Sequence, residues 1–384
     1  MKPLSLNGMD GVGKSQQIRL LSQSGEVFHI TKPLIQYSER WPKLKGPDMS
    51  RWWFEKVSVE ELADIIIESL NARNRDKVSG KIQVFDRGWR MFQAVCAATW
   101  TTREGICIED AIFRTDQCFR KALDHYAEEY EVLLVPDDGY LRSIDGCRKL
   151  FRSEEGQYEA YMNERYALYQ ANLRRAVGLC FAEVPVQRIP VTSPIIDIQN
   201  ALRSQLNQAY GIKLAPMASS ISRVVGFGGL SECGKSSFAD HLRRRGFYRL
   251  KLRYFIEIVE ARGEEATPEM VAYELLHFCQ RHYYVTEYTV ESLHDPYMPA
   301  FLKLLLGNRM QVVYLDADEE TRVSRAKTEM GVEEEKARTE VQAKDRVKLS
   351  RGALKVRDIA DLVFDNSSCS LVENLQRFAQ NVNA

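Results

Sequence analysis

The sequence lacks an excess of either charge, a long apolar run and any paired-cysteine motif, and each absence removes a class of protein. Its 53 Lys and Arg are matched by 53 Asp and Glu. A chain without net charge is not built to be held globally on nucleic acid or on an anionic membrane, although a local basic site remains compatible with it. No run of about 18 apolar residues occurs, and the N-terminal MKPLSLNG has no apolar signal core. A soluble, unexported, cytoplasmic chain with no membrane partner is therefore expected. The eight cysteines (Cys96, Cys107, Cys118, Cys147, Cys180, Cys233, Cys279 and Cys369) are scattered, without a C-x-x-C pair. They read as reduced thiols rather than as a disulfide or zinc framework.

What is present is a glycine-rich grammar, written twice. Gly8-Met9-Asp10-Gly11-Val12-Gly13-Lys14-Ser15 fits the phosphate-loop pattern G-x-x-x-x-G-K-[ST]. An apolar run at residues 4–6 precedes it as a strand, and a helix beginning at Ser15-Gln16 follows. Gly229-Leu230-Ser231-Glu232-Cys233-Gly234-Lys235-Ser236, running on into Ser237, repeats the strand, loop and helix. Such loops aim successive backbone N–H groups at a polyphosphate and add the positive end of a helix. Lys14 and Lys235 are expected on the phosphates, and Ser15 and Ser236 on Mg²⁺. A glycine-rich turn that binds nothing has no need of Lys-Ser at the helix start twice. The expected fold class is α/β, with two P-loop NTPase domains, each a parallel sheet flanked by helices. Residues 1–210 form the first domain, 211–221 a linker and 222–384 the second.

Further along the first half, residues 26–30 read as a strand ending near Lys32, a candidate acceptor-phosphate contact at the carboxyl end of a parallel strand. Residues 59–71 carry apolar positions at helical spacing. Trp41, Trp52, Trp53 and Phe54 either line a ring pocket or pack between helices. A third strand, 81–85, ends in Asp86-Arg87, a carboxylate for the metal beside a guanidinium for a phosphate. Residues 131–135 read as the fourth strand. The basic segment with Arg142, Arg148, Lys149 and Arg152 suits a lid over the transferring group, and a helix over about 154–176 follows it with Tyr158, Tyr161, Tyr166 and Tyr169. In the second half, Arg253 follows a second strand, and residues 283–288 read as the third strand, with Glu287 near its end. Residues 310–315 form a strongly apolar strand. Arg322 and Arg325 lie one turn apart on a charged helix running through 340 and are candidate nucleotide contacts.

GMDGVGKS, VFDRG and the basic segment followed by EEGQYEAYMNERYALY resemble the thymidylate kinase family over residues 1–205. The resemblance implies that Asp10 approaches the acceptor nucleoside, that Lys14 and Arg87 hold phosphates, and that Ser15 and Asp86 serve the metal. It departs at Thr31-Lys32-Pro33 and after Asp86-Arg87, where Gly88-Trp89-Arg90 stands and Cys96 falls near the expected base-reading Gln. Residues 222–380, with GLSECGKSSFADHLRRRGF, VVYLDADEETRVSRAKTE and Lys344-Asp345-Arg346, resemble the group of dephospho-coenzyme A kinase and deoxynucleotide kinases. ATP and Mg²⁺ are the implied cofactors, and a nucleoside monophosphate or a related phosphorylated small molecule the implied partner. A homodimer stays open. Two alternatives also stay open: a kinase acting on a hydroxyl of a nucleoside, modified base or polynucleotide, and a nucleotide sensor or scaffold that turns over poorly.

Overall fold

Apolar runs too continuous to leave one strand face wet predict buried parallel sheets, and a computed structural model contains two of them. It describes residues 1–24, 26–122, 128–145, 147, 160–367 and 370–381. The chain divides into two units, one of residues 1–142 and 153–215 and another of residues 143–152 and 216–384.

In the first unit the strands are β1 (Leu4–Gly8), β2 (Phe28–Ile30), β3 (Ile82–Asp86), β4 (Tyr130–Pro136) and β5 (Gln187–Val191). They pair in parallel in the order β2-β3-β1-β4-β5. The second unit has β6 (Arg223–Gly228), β7 (Tyr248–Lys251), β8 (Glu287–Leu293), β9 (Met310–Asp316) and β10 (Leu362–Asp365), all parallel, in the order β10-β9-β6-β8-β7. Numbered from its own first strand and read from the other edge, that is the same 2-3-1-4-5 order. Both glycine-rich loops thus leave the central strand of a five-stranded sheet. At that strand the chain's lateral direction reverses, which is where open α/β sheets place ligands.

Helices flank both sheets. In the first unit, Leu4, Leu6, Val84, Val132, Leu134 and Ile189 are buried against helices that include Lys14–Ser22, Trp89–Glu104 and Ile195–Tyr210. In the second, Val225, Phe227, Val313 and Leu315 pack with Phe238, Phe364 and Phe378. Helix Val59–Arg75 starts where Ser58 accepts a hydrogen bond from the Glu61 N–H, and it presents Leu62, Ile66 and Leu70 to the core.

Two expectations need correction. Residues 283–286 are not strand: β8 begins at Glu287 and ends at Leu293, so Glu287 opens the strand instead of closing it. Tyr283 and Tyr284 are exposed, and their β-forming side chains mimicked a strand start. The long charged helix is two helices, Glu319–Met330 and Glu334–Ser350, because Gly331 takes a left-handed φ of 63° and stops the first. In the lid region, helix Ala160–Cys180 is present, whereas Arg148, Lys149, Arg152 and Tyr158 lie outside the described residues.

Candidate functional site

β1 ends in Gly8, whose φ is 142° and where a Cβ would come within 2.7 Å of the Leu134 carbonyl. Only glycine lets the chain turn there. Gly11 and Gly13 are also left-handed, and Gly13 caps the helix that begins at Lys14. Val12 is buried in the core and anchors the loop, while Gln16 lies half-buried in the helix's first turn. Lys14 is buried and folds back over the loop, its Nζ donating to the carbonyls of Gly8 (3.0 Å) and Met9 (2.8 Å). Burial, then Arg87, pulls its pKa down to about 8 against the opposing pull of Asp86 and Asp10. Ser15 Oγ, at the exposed helix start, lies 3.4 Å from Asp86 Oδ2 at the exposed end of β3.

The structure brings Asp10, Arg87, Lys14, Ser15 and Asp86 together. Arg87 pairs directly with Asp10, which also accepts from Tyr166 OH (3.0 Å) and Gln170 Nε2 (2.8 Å). Burial works to raise the Asp10 pKa, but Arg87 and Lys14 outweigh it and hold the carboxyl below its ordinary value. Arg87 has a left-handed φ of 68°, uncommon for a side chain of its size. Its carbonyl is held by Nη1 of the buried Arg73 at 2.7 Å, and the next N–H, that of Gly88, donates to Asn7 Oδ1 at 2.8 Å. The strain at Arg87 is thus fixed from beneath by Arg73 and Asn7.

Above this pair opens a cavity of about 310 Å³, lined by Asp10, Arg87 and Ser50 together with Trp53, Phe54, Phe92, Tyr166 and Tyr169. A single π-helical turn, Trp52–Lys56, brings Trp53 and Phe54 to it. Trp41 instead packs into the core, stacked on Trp53 with its indole N–H on Ser69 Oγ. The other first-unit candidates fall elsewhere. Lys32 is exposed, and its backbone N–H donates to Tyr37 OH. Arg142 is exposed on helix Asp138–Ser143, with Nε donating to the Asp138 carbonyl.

The second loop repeats the arrangement. Gly229 and Gly234 are left-handed, and a Cβ on Gly229 would collide with the Leu315 carbonyl. Lys235 Nζ donates to the carbonyls of Gly229 (3.0 Å) and Leu230 (2.5 Å) and lies 3.3 Å from the buried Cys233 Sγ. Ser236 Oγ donates to Glu291 Oε2 (3.2 Å) on β8, while the Ser237 N–H closes the first helical turn on Gly234. Glu291 is the counterpart of Asp86. Setting the strand four residues early hid it. The signal available in sequence was the run Tyr288-Thr289-Val290 closed by a carboxylate, which parallels Ile82–Asp86. Arg249, on β7, grips Glu291 through both Nε and Nη2, the latter at 2.9 Å.

Arg322 and Arg325 face the loop's backbone. Arg322 Nη1 lies on the Ser231 carbonyl (3.4 Å) and pairs with Asp345, whose Oδ1 accepts the Ser231 N–H (2.8 Å). Arg325 donates to the carbonyls of Glu232 (3.2 Å) and Asn366 (2.7 Å). Both arginines brace the loop from the protein side. Arg253 is 87% exposed and pairs with Glu257 one turn along its own helix.

No family model matches the chain, and no curated protein matches it. Among solved structures it is similar to an uncharacterized protein from Eubacterium ventriosum, at 10% identity and a TM-score of 0.32, over 42% of this chain and 99% of that one. It is also similar to TT1252 from Thermus thermophilus, at 20% identity and a TM-score of 0.30, over 42% of this chain and 97% of that one. Likeness at this level carries no argument about chemistry.

Proposed function

We propose that the chain is an ATP- and Mg²⁺-dependent phosphotransferase of the P-loop kind. Its first unit would move the γ-phosphoryl of ATP onto a nucleoside monophosphate or a related phosphorylated small molecule. One observation carries the reading. The same device recurs on two sheets of equal strand order: a lysine turned back on two loop carbonyls, and a helix-start serine facing a carboxylate on the neighbouring strand.

The residues fit the groups they would hold. The glycines leave the loop's inner face without side chains, and Lys14 can exchange two carbonyl acceptors for phosphate oxygens. Ser15 and Asp86 are oxygen donors of the kind Mg²⁺ takes alongside substrate phosphates and water. No group of three or more His, Cys, Asp or Glu that could hold a metal occurs among the described residues. Mg²⁺ held between Ser15 and Asp86 would offset phosphate charge when ATP is bound. Lys14 and Arg87 would hold phosphates, and Asp10 would take a hydrogen bond from the acceptor. The aromatic walls of the cavity receive a flat ring and exclude water. Positioning and neutralisation carry the rate, with no covalent nucleophile.

Radiolabelled ATP offered with a panel of nucleoside monophosphates tests this. Label should move to at least one of them with Mg²⁺ and not with EDTA, and Lys14→Ala should lose at least about a hundredfold in kcat. Label appearing only on nucleosides or on oligonucleotide ends would replace the reading with that of a hydroxyl kinase.

A further inference from the structure

The two loops differ at the place where the metal belongs. In the first unit Asp86 ends β3 exposed, with Ser15 beside it. In the second, Glu291 is 4% exposed, and Arg249 clasps it with two donors. A two-point guanidinium–carboxylate contact is among the strongest that side chains make. For Glu291 to serve a metal, it would have to give up both contacts with Arg249, which is itself only part-buried at 26% exposed.

Cations have gathered at the same loop from another direction. Helix Glu334–Ser350 brings Lys348 to the loop, where its Nζ donates to Ser231 Oγ at 2.8 Å, and Arg351 follows at the helix end. Lys235, Lys348 and Arg351 all act on the imidazole of His294, just past the end of β8. Burial and these three charges push the His294 pKa down to about 3, so the ring stays neutral and adds no repulsion. Its Nδ1 is buried and makes no hydrogen bond. The nearby carboxylates are already engaged, Asp345 by Arg322 and the Ser231 N–H, Glu232 by Lys344 at 3.8 Å. Burial, then Lys235, lowers the Lys348 pKa to about 8 against the opposing pull of Cys233, Asp345 and Glu232.

We infer that the second loop is a metal-independent nucleoside triphosphate site. Lys348, seated on the loop's Ser231, there neutralises the phosphates in place of Mg²⁺, and the nucleotide is held without being spent. The inference shares with the function proposed above only the premise that these loops bind polyphosphate.

Calorimetric titration of full-length Lys14→Ala protein with ATP, in excess Mg²⁺ and again in excess EDTA, tests it. One ATP should bind per chain in both, with Kd values within about twofold of each other. Lys348→Ala in that background should weaken binding about tenfold in both conditions. Arg249→Gln, which frees Glu291, should make binding tighten with Mg²⁺. Should that last variant fold poorly, the Lys14→Ala titrations in Mg²⁺ and in EDTA carry the test on their own. Binding that vanishes in EDTA overturns the inference, as does no binding in either condition. Transfer by the wild type is measured separately. No transfer with metal-free binding intact removes the proposed function and leaves this site standing; transfer with strictly metal-dependent binding does the reverse.

Discussion

Lys14 is the residue on which charge and geometry meet most closely. With its pKa near 8, the free ammonium loses its proton as pH rises from about 8 towards its ordinary value of 10.5. A bound polyphosphate favours the charged form and so raises that pKa. ATP binding between pH 8 and 10.5 should therefore take up a proton, and affinity should fall as pH climbs through this window. Calorimetry in buffers of different ionisation heat reads the uptake directly, and Lys14→Ala should abolish the first loop's share of it. At Asp10 the expectation separates binding from chemistry. Asp10→Asn keeps the shape but weakens the grip on Arg87, so it should raise the acceptor KM about tenfold or more while the ATP Kd stays nearly fixed. Gly8→Ala places a methyl against the Leu134 carbonyl at a left-handed φ. It should cost about 1–3 kcal/mol, read as a lowered denaturant midpoint.

At the scale of elements, helix Val59–Arg75 links stability to the site. Its N-cap Ser58 holds the Glu61 N–H, and its buried Arg73 near the other end holds the Arg87 carbonyl. Ser58→Ala should lower stability by about 1 kcal/mol without touching the loop, measured by chemical denaturation. Both loops were legible in the sequence because glycine spacing and Lys-Ser at a helix start have few other uses. Asp86-Arg87 was legible for the same reason, as polar residues closing an apolar strand. Glu291 was not, because the exposed Tyr283 and Tyr284 carry strand propensity without a strand, and setting the strand at 283–288 ended it short of the carboxylate. Arg249, Lys348 and His294 were invisible for another reason. They reach Glu291 or the second loop from β7, a distant helix and the end of β8, and no local spacing announces a meeting made by the fold. Gln170 belongs with them, brought to Asp10 across more than a hundred residues of chain, whereas its neighbour Tyr166 was already singled out on its helix.

The whole molecule is one sheet order used twice with two different charge arrangements. The first unit surrounds its loop with an exposed carboxylate, an Asp10–Arg87 pair and an aromatic cavity, the surroundings that the proposed transfer calls for. The second surrounds its loop with arginines and lysines and locks its carboxylate away. No helix among the described residues is long and apolar enough to cross a membrane. The account therefore depends on two polyphosphate cups in one chain. Equilibrium dialysis of the full-length protein against ATP and Mg²⁺ counts them. Two nucleotides should be held per chain, one after Lys14→Ala, one after Lys235→Ala and none in the double variant. A count of zero in the wild type, or a count that neither substitution changes, would contradict it.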